Sequence, residues 1–202
     1  MEVEMLIAAD GTPPLSLLAT AKVTGISVTV IPLLSSGHPP VIILNDSLKV
    51  EGTNAILHYF ASKGAVGNMY NRDGTSETKE IYKWLRESHS LFSGSDYEKA
   101  CKQVDEYLLE HVYLVGRSIS VADMLVWSYL AGAGKRWVRL MESKEYPNLA
   151  QWYNMISTKH AAALDEVLAT YLATYTEEKE SGQPMSSKTT EKEPATPREK
   201  NI

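Results

Sequence analysis

The sequence predicts an α/β unit followed by an all-α half, and three observations carry that reading. A strand, a helix and a strand open the chain; a two-strand hairpin and another helix follow; beyond Glu77 the apolar residues repeat with the helical period alone. Parallel strands need a crossover, so the opening reads as βαβ and its continuation as ββα. A four-stranded sheet with helices on its faces buries the apolar sides of all these elements.

In order, Val3 to Ala8 is an apolar stretch with partial alternation, a strand. The acidic opening MEVEM and the short apolar run differ from a basic targeting segment. PPLSLLATAKVTG reads as a helix entered through proline and closed by Gly25, and SVTVIPL as the second strand. VIIL and SLKV flank a turn at Asn45 and Asp46 and make a hairpin. Glu51 to Gly64 carries Ile56, Leu57, Tyr59 and Phe60 near helical spacing, with Gly64 as the expected C-cap. Residues 1–64 are thus the α/β unit, 65–76 a connecting loop, 77–175 the helical half and 176–202 a polar tail.

In the helical half, Ile81, Trp84, Leu85 and Ser88 share one face. SDYE, Ser95 to Glu98, is a capping signal for a helix that carries Ala100, Val104, Tyr107 and Leu108. Ser120 and Asp123 form a stronger capping box, with Ile119 and Met124 at the two positions of a hydrophobic staple. Pro147 starts another helix with Leu149, Trp152, Tyr153 and Ile156 as its stripe, and LDEVLATYLATY supplies the last. After Tyr175 no aromatic or large branched apolar residue occurs before Ile202, so the tail is expected to be a disordered linker.

Composition narrows the function. The chain has 202 residues, is 44% hydrophobic and 8% aromatic, and carries a net charge of -5, which argues against a generic nucleic-acid binder. Its single cysteine, Cys101, cannot form an internal disulfide or a cysteine-built zinc site, and a cytoplasmic location is expected. No run approaches the ~20 apolar residues of a membrane span, so no membrane partner is expected. His38, His58, His89, His111 and His160 lack metal-ligand spacing, and no phosphate-binding glycine motif occurs. Neither a metal nor a cofactor is expected, and Cys101 reads as a small core residue.

The order βαβ-ββα and then helices, with GRSISVAD capping a central one, resembles the glutathione transferase superfamily: a thioredoxin-like unit with a helical domain behind it. SGSDYEKACKQVDEYLLEHVYLVGRSISVADMLVWSYLAGAGKRW, YPNLAQWYNMI and VLATY narrow the likeness to the N-terminal appended domains of cytosolic, plant-type glutamyl-tRNA synthetases, over about Leu6 to Tyr175. The resemblance implies a non-catalytic docking domain whose partners are similar domains of other synthetases or scaffold proteins. It also makes the tail a linker toward a ligase core whose signatures are absent from this chain, so no aminoacylation is expected of the chain alone. One face considered lies around the first helix and TKEIYKWLRESHSLF. A second offers Arg136, Trp137 and Arg139 beside Gln151, the position where related docking helices carry Arg before the Trp. Homodimerisation and an auxiliary tRNA contact are the further alternatives.

A working transferase is the rival reading. Such enzymes need a hydroxyl or thiol at the first helix start, and the resemblance puts Gly11, Thr12, Pro13 and Pro14 there, with Ser16 as the substitute after a register slip. Pro40 matches the family's usually cis proline, but Pro39 before it has no N–H to pair with glutathione. Glu51 and Gly52 stand where the family has an acid or amide followed by Ser, so that hydroxyl is lost. The site at Thr12, Pro40, Glu51 and Gly52 therefore reads as degenerate, with no catalytic residue.

Overall fold

Alternation sets the sheet. In a computed structural model that describes residues 2–7, 13–32, 37–44, 48–66, 69, 75–92 and 94–175, β1 (Glu2–Ile7) buries Val3, Met5 and Ile7 and turns Glu2 and Glu4 outward. It pairs parallel with β2 (Ser27–Pro32) and antiparallel with β3 (Val41–Ile43), which pairs with β4 (Lys49–Glu51), giving the order β2-β1-β3-β4. This is the mixed sheet that the sequence predicts. The Asn45–Asp46 turn lies outside the described residues; at its base the Leu44 amide donates to the Leu48 carbonyl at 2.9 Å.

The crossover helix α1 (Leu15–Thr24) starts behind Pro14 and ends at Gly25, whose φ of 75° is the left-handed cap expected of glycine. Apart from Leu18 and Lys22 every residue of α1 is buried, because α2 (Thr53–Lys63), α5 (Val121–Gly132) and α8 (Ala161–Tyr175) all pack on it. Of the first docking face considered above, α1 is thus covered, and α3 (Thr75–Phe92) carries exposed residues.

Two expected caps take other forms. Gly64 is extended, with φ -71°, rather than a left-handed cap. A Cβ there would stand 2.1 Å from Thr24 Cβ, so Gly64 is required by close approach of the chain to the end of α1, where the Ala65 amide reaches the Thr24 carbonyl at 2.7 Å. The SDYE signal yields a 3-10 turn over Gly94–Asp96 and then α4 (Tyr97–Leu108), with Asp96 before the helix and no side-chain cap bond.

The box at Ser120 forms as expected and opens α5, which is buried on all sides over Val121 to Ser128. The short α6 (Lys135–Ser143), not foreseen as a separate helix, leads to α7 (Pro147–Lys159), with Pro147 in its first turn. Leu149, Trp152 and Ile156 of α7 are buried as expected, with Tyr153 half-buried against Trp127 and Trp137. The buried side chains of sheet and helices form one continuous cluster, so the two halves share a core.

Candidate functional site

Where sheet and helices meet, the chain leaves a cleft of about 1080 Å³. Its floor comes from Pro14, Leu15 and Ser16 at the start of α1 and from Glu51 to Ala55 at the start of α2; Phe92, Tyr97, Tyr129 and Tyr171 supply aromatic walls, and Arg86, His89 and Arg136 the basic rim. Phe92 and Tyr129 stack with ring centres 5.6 Å apart, and the Tyr129 hydroxyl meets His89 Nδ1 at 3.3 Å. This is where the expected glutathione subsites belong, and each can be read except Thr12 and Gly11, which lie outside the described residues.

At Pro40 the cis bond considered above is absent: no peptide bond among the described residues is cis. Trans is the cheaper X-Pro isomer. The Pro40 carbonyl accepts from the Gly52 amide at 2.8 Å, which ties the strand start to the start of α2 and uses the Gly52 N–H internally. Gly52 itself has φ 89° and ψ 143°, a conformation in which a Ser would be strained, so the missing hydroxyl goes with a backbone that demands glycine. Ser16 is the described hydroxyl closest in placement to a transferase nucleophile: it sits in the first turn of α1 and lines the cleft, though only 3% exposed. Cys101 offers nothing better, because burial first of all pushes its thiol up to about 12. Among the described residues no group of His, Cys, Asp and Glu could hold a metal.

The residues of the second candidate face have different surroundings. Trp137 is 2% exposed, packed edge-on against Tyr153 at 5.3 Å, so it supports α6 from within. Arg136 turns into the cleft, its guanidinium 4.4 Å from the Tyr97 ring centre and 3.7 Å from Glu98 Oε1. Arg139 is exposed on α6. Gln151 lies on α7 beside a groove that includes Leu108, Leu109, Val112 and Met155. Arg136 thus lies against Tyr97 at the start of α4 and Gln151 lines a groove with Leu108 at its end, two helix ends roughly 16 Å apart at 1.5 Å per residue. Leu109 and Val112, 71% and 65% exposed, are apolar surface that the sequence reading missed; only their place past the last helical turn could have suggested it.

Ser120 and Asp123 are structural. Asp123 is wholly buried and accepts four bonds: from the Leu114 amide at 2.9 Å and Trp152 Nε1 at 3.2 Å on Oδ1, and from the Ser120 amide at 2.8 Å and hydroxyl at 2.7 Å on Oδ2. Burial pushes this carboxyl above its usual range while the four donors pull against it.

Comparison with known proteins agrees with this architecture. The family model described as glutathione S-transferase, C-terminal domain, matches residues 66–174. Across 87% of its length the chain is 32% identical to the cytoplasmic glutamate–tRNA ligase of Arabidopsis thaliana, and it spans 24% of that ligase. Among solved structures, the glutathione transferase URE2P6 from Phanerochaete chrysosporium, in complex with oxidized glutathione, matches with a TM-score of 0.67 at 18% identity, covering 84% of this chain and 97% of that one. A chain from the binary sub-complexes of the yeast aminoacyl-tRNA synthetase complex matches with a TM-score of 0.61 at 15% identity, covering 89% and 98%.

Proposed function

The chain belongs to the glutathione S-transferase C-terminal domain family, and from that premise we propose that it is a non-catalytic docking domain of a cytosolic glutamate–tRNA ligase, which serves translation by tethering that ligase to other synthetases or to scaffold proteins with similar domains. The observation that carries the reading is the loss of glutathione-reading atoms around a cleft that is otherwise kept. Pro39 has no N–H and Gly52 has no hydroxyl. The likeness to a cytoplasmic glutamate–tRNA ligase supports the choice of parent protein and the cytoplasmic location, and the likeness to a chain of the yeast synthetase complex supports the choice of partners.

The transferase reading has one specific observation in its favour, the Ser16 hydroxyl in the cleft. The two readings part in a simple experiment. The docking reading expects the chain to flow through immobilised glutathione and to form a stoichiometric complex with the corresponding domain of a partner synthetase or scaffold in size-exclusion chromatography. Specific elution by free glutathione, lost in Ser16→Ala, is the result that overturns it.

A further inference from the structure

We propose that the outer edge of β2 takes up an extended peptide segment as a fifth strand, and that this segment alternates Lys or Arg with β-branched apolar residues. The partner is an extended segment and not a folded domain, so the proposal stands apart from the docking reading above.

Strand order makes β2 an edge. In β2-β1-β3-β4 it pairs with β1 alone, and among the described residues no other backbone group bonds to Ser27–Pro32. Its outward N–H and C=O groups are therefore a row of open donors and acceptors. The two edges of the sheet differ. β4 is three residues long and carries exposed Lys49 and Glu51, the kind of charged, short edge that turns other strands away. β2 is six residues long, no residue from 25 to 37 is charged, and Val28, Thr29, Val30 and Ile31 are all β-branched. Pro32 guards its last position only.

Register decides which side chains the added strand needs. Val28 and Val30 lie beside Val3 and Met5 on the core face, yet unlike those two they remain partly exposed. Apolar residues on a neighbouring strand complete their cover. On the other face Ser27 and Thr29 lie beside Glu2 and Glu4. Both carboxylates are exposed, and neither is ion-paired among the described residues. At ~4.8 Å between strands the added strand runs ~10 Å from β1, and the short Ser27 and Thr29 leave the way open for a long cationic side chain to reach back. Lys22, the cation nearest to β2 in sequence, is already held by Glu166 at 2.6 Å. Cations on one face and β-branched apolar residues on the other are the pattern that fits this edge.

A second copy does not supply that pattern. About a two-fold axis β2 meets its own copy, uncharged residues against uncharged, and Glu2 and Glu4 of both chains stay unanswered on the same face. Six residues a side also fall far short of the ~20–30 of a stable interface. Residues 176–202 do not supply it either, since Ile202 is their only β-branched apolar residue. A phosphate backbone is repelled by the two carboxylates.

The test titrates a synthetic peptide of alternating Lys and Val into the chain. Its comparators are a Glu–Val counterpart, a peptide of the same composition with its lysines in one block, and a Lys–Val peptide N-methylated at every residue. We expect the alternating Lys–Val peptide alone to bind and to slow hydrogen exchange within Ser27–Pro32. Glu2→Gln/Glu4→Gln should weaken that binding at least about threefold, and Thr29→Lys, which sets a cation on the edge, at least about tenfold, both at unchanged melting temperature. Equal binding of the N-methylated peptide would show that no strand is added, and equal binding of the block peptide would show mere charge attraction; either overturns the proposal. Binding indifferent to Thr29→Lys overturns it as well. A dimer of the chain alone that Thr29→Lys dissolves would assign the edge to a second copy.

Discussion

Asp123 gathers four donors where no solvent reaches, and what happens when it is removed follows from them. In Asp123→Ala the Leu114 and Ser120 amides and the Trp152 indole N–H stay buried without an acceptor, a loss of about 3–5 kcal/mol. Asp123→Asn keeps the shape but turns an NH₂ toward one pair of donors, so it should fall between wild type and alanine in urea unfolding. Equal stability of all three proteins would mean the box does not hold the loop before α5. His160 gives a pH signature. Burial, then the Lys159 charge, depresses its pKa below 6.5, and its Nε2 is buried without a partner among the described residues. The folded state therefore binds fewer protons than the unfolded one below pH 6.5; this contribution is full above that value and is lost as pH falls through the folded pKa. The melting temperature of wild type should drop on acidification below pH 6.5 more than that of His160→Asn, and parallel curves would remove His160 from the account. In sequence, Ser120 and Asp123 were legible because a cap acts between residues three apart, whereas nothing around His160 marked its burial.

At the scale of elements, α7 shows how one helix completes another. Its N-cap position, Tyr146, supplies no side-chain bond; Asp105 of α4 does so from 44 positions away, accepting from the Leu149 amide at 2.8 Å and from Asn148 Nδ2 at 3.2 Å. Asp105→Ala should cost about 1–2 kcal/mol, as loss of a cap does, and should raise hydrogen exchange at Asn148 to Ala150 first. Uniform exchange across α4 and α7 would show that packing alone fixes α7. The period of α7 was readable in YPNLAQWYNMI, and its cap was not, because the capping residue is distant in sequence. The same contrast separates the glycines that end α1 and α2. Gly25 closes α1 by its own backbone conformation, which sequence position predicts, while Gly64 is required by Thr24 across the fold. Lys22 and Glu166, 2.6 Å apart, link α1 to α8, but both are well exposed, so the apolar contact between these helices holds them together.

Over the whole molecule, the sequence determined the order of strands and helices, the parallel strand pair and the hairpin of the sheet, and the central capped helix. These depend on hydrophobic period, turn chemistry and residue type, and each can be read within a few positions along the chain. Tertiary structure alone decided that Trp137 is core while Arg136 enters the cleft, that α1 is covered, and that Arg136 lies against Tyr97 at one end of α4 while Gln151 lies beside Leu108 at the other. Burial and charge segregation are set by which elements pack together, and residues far apart in the chain share that decision; a one-dimensional pattern states which side chains are apolar or charged, and only packing assigns them a neighbour.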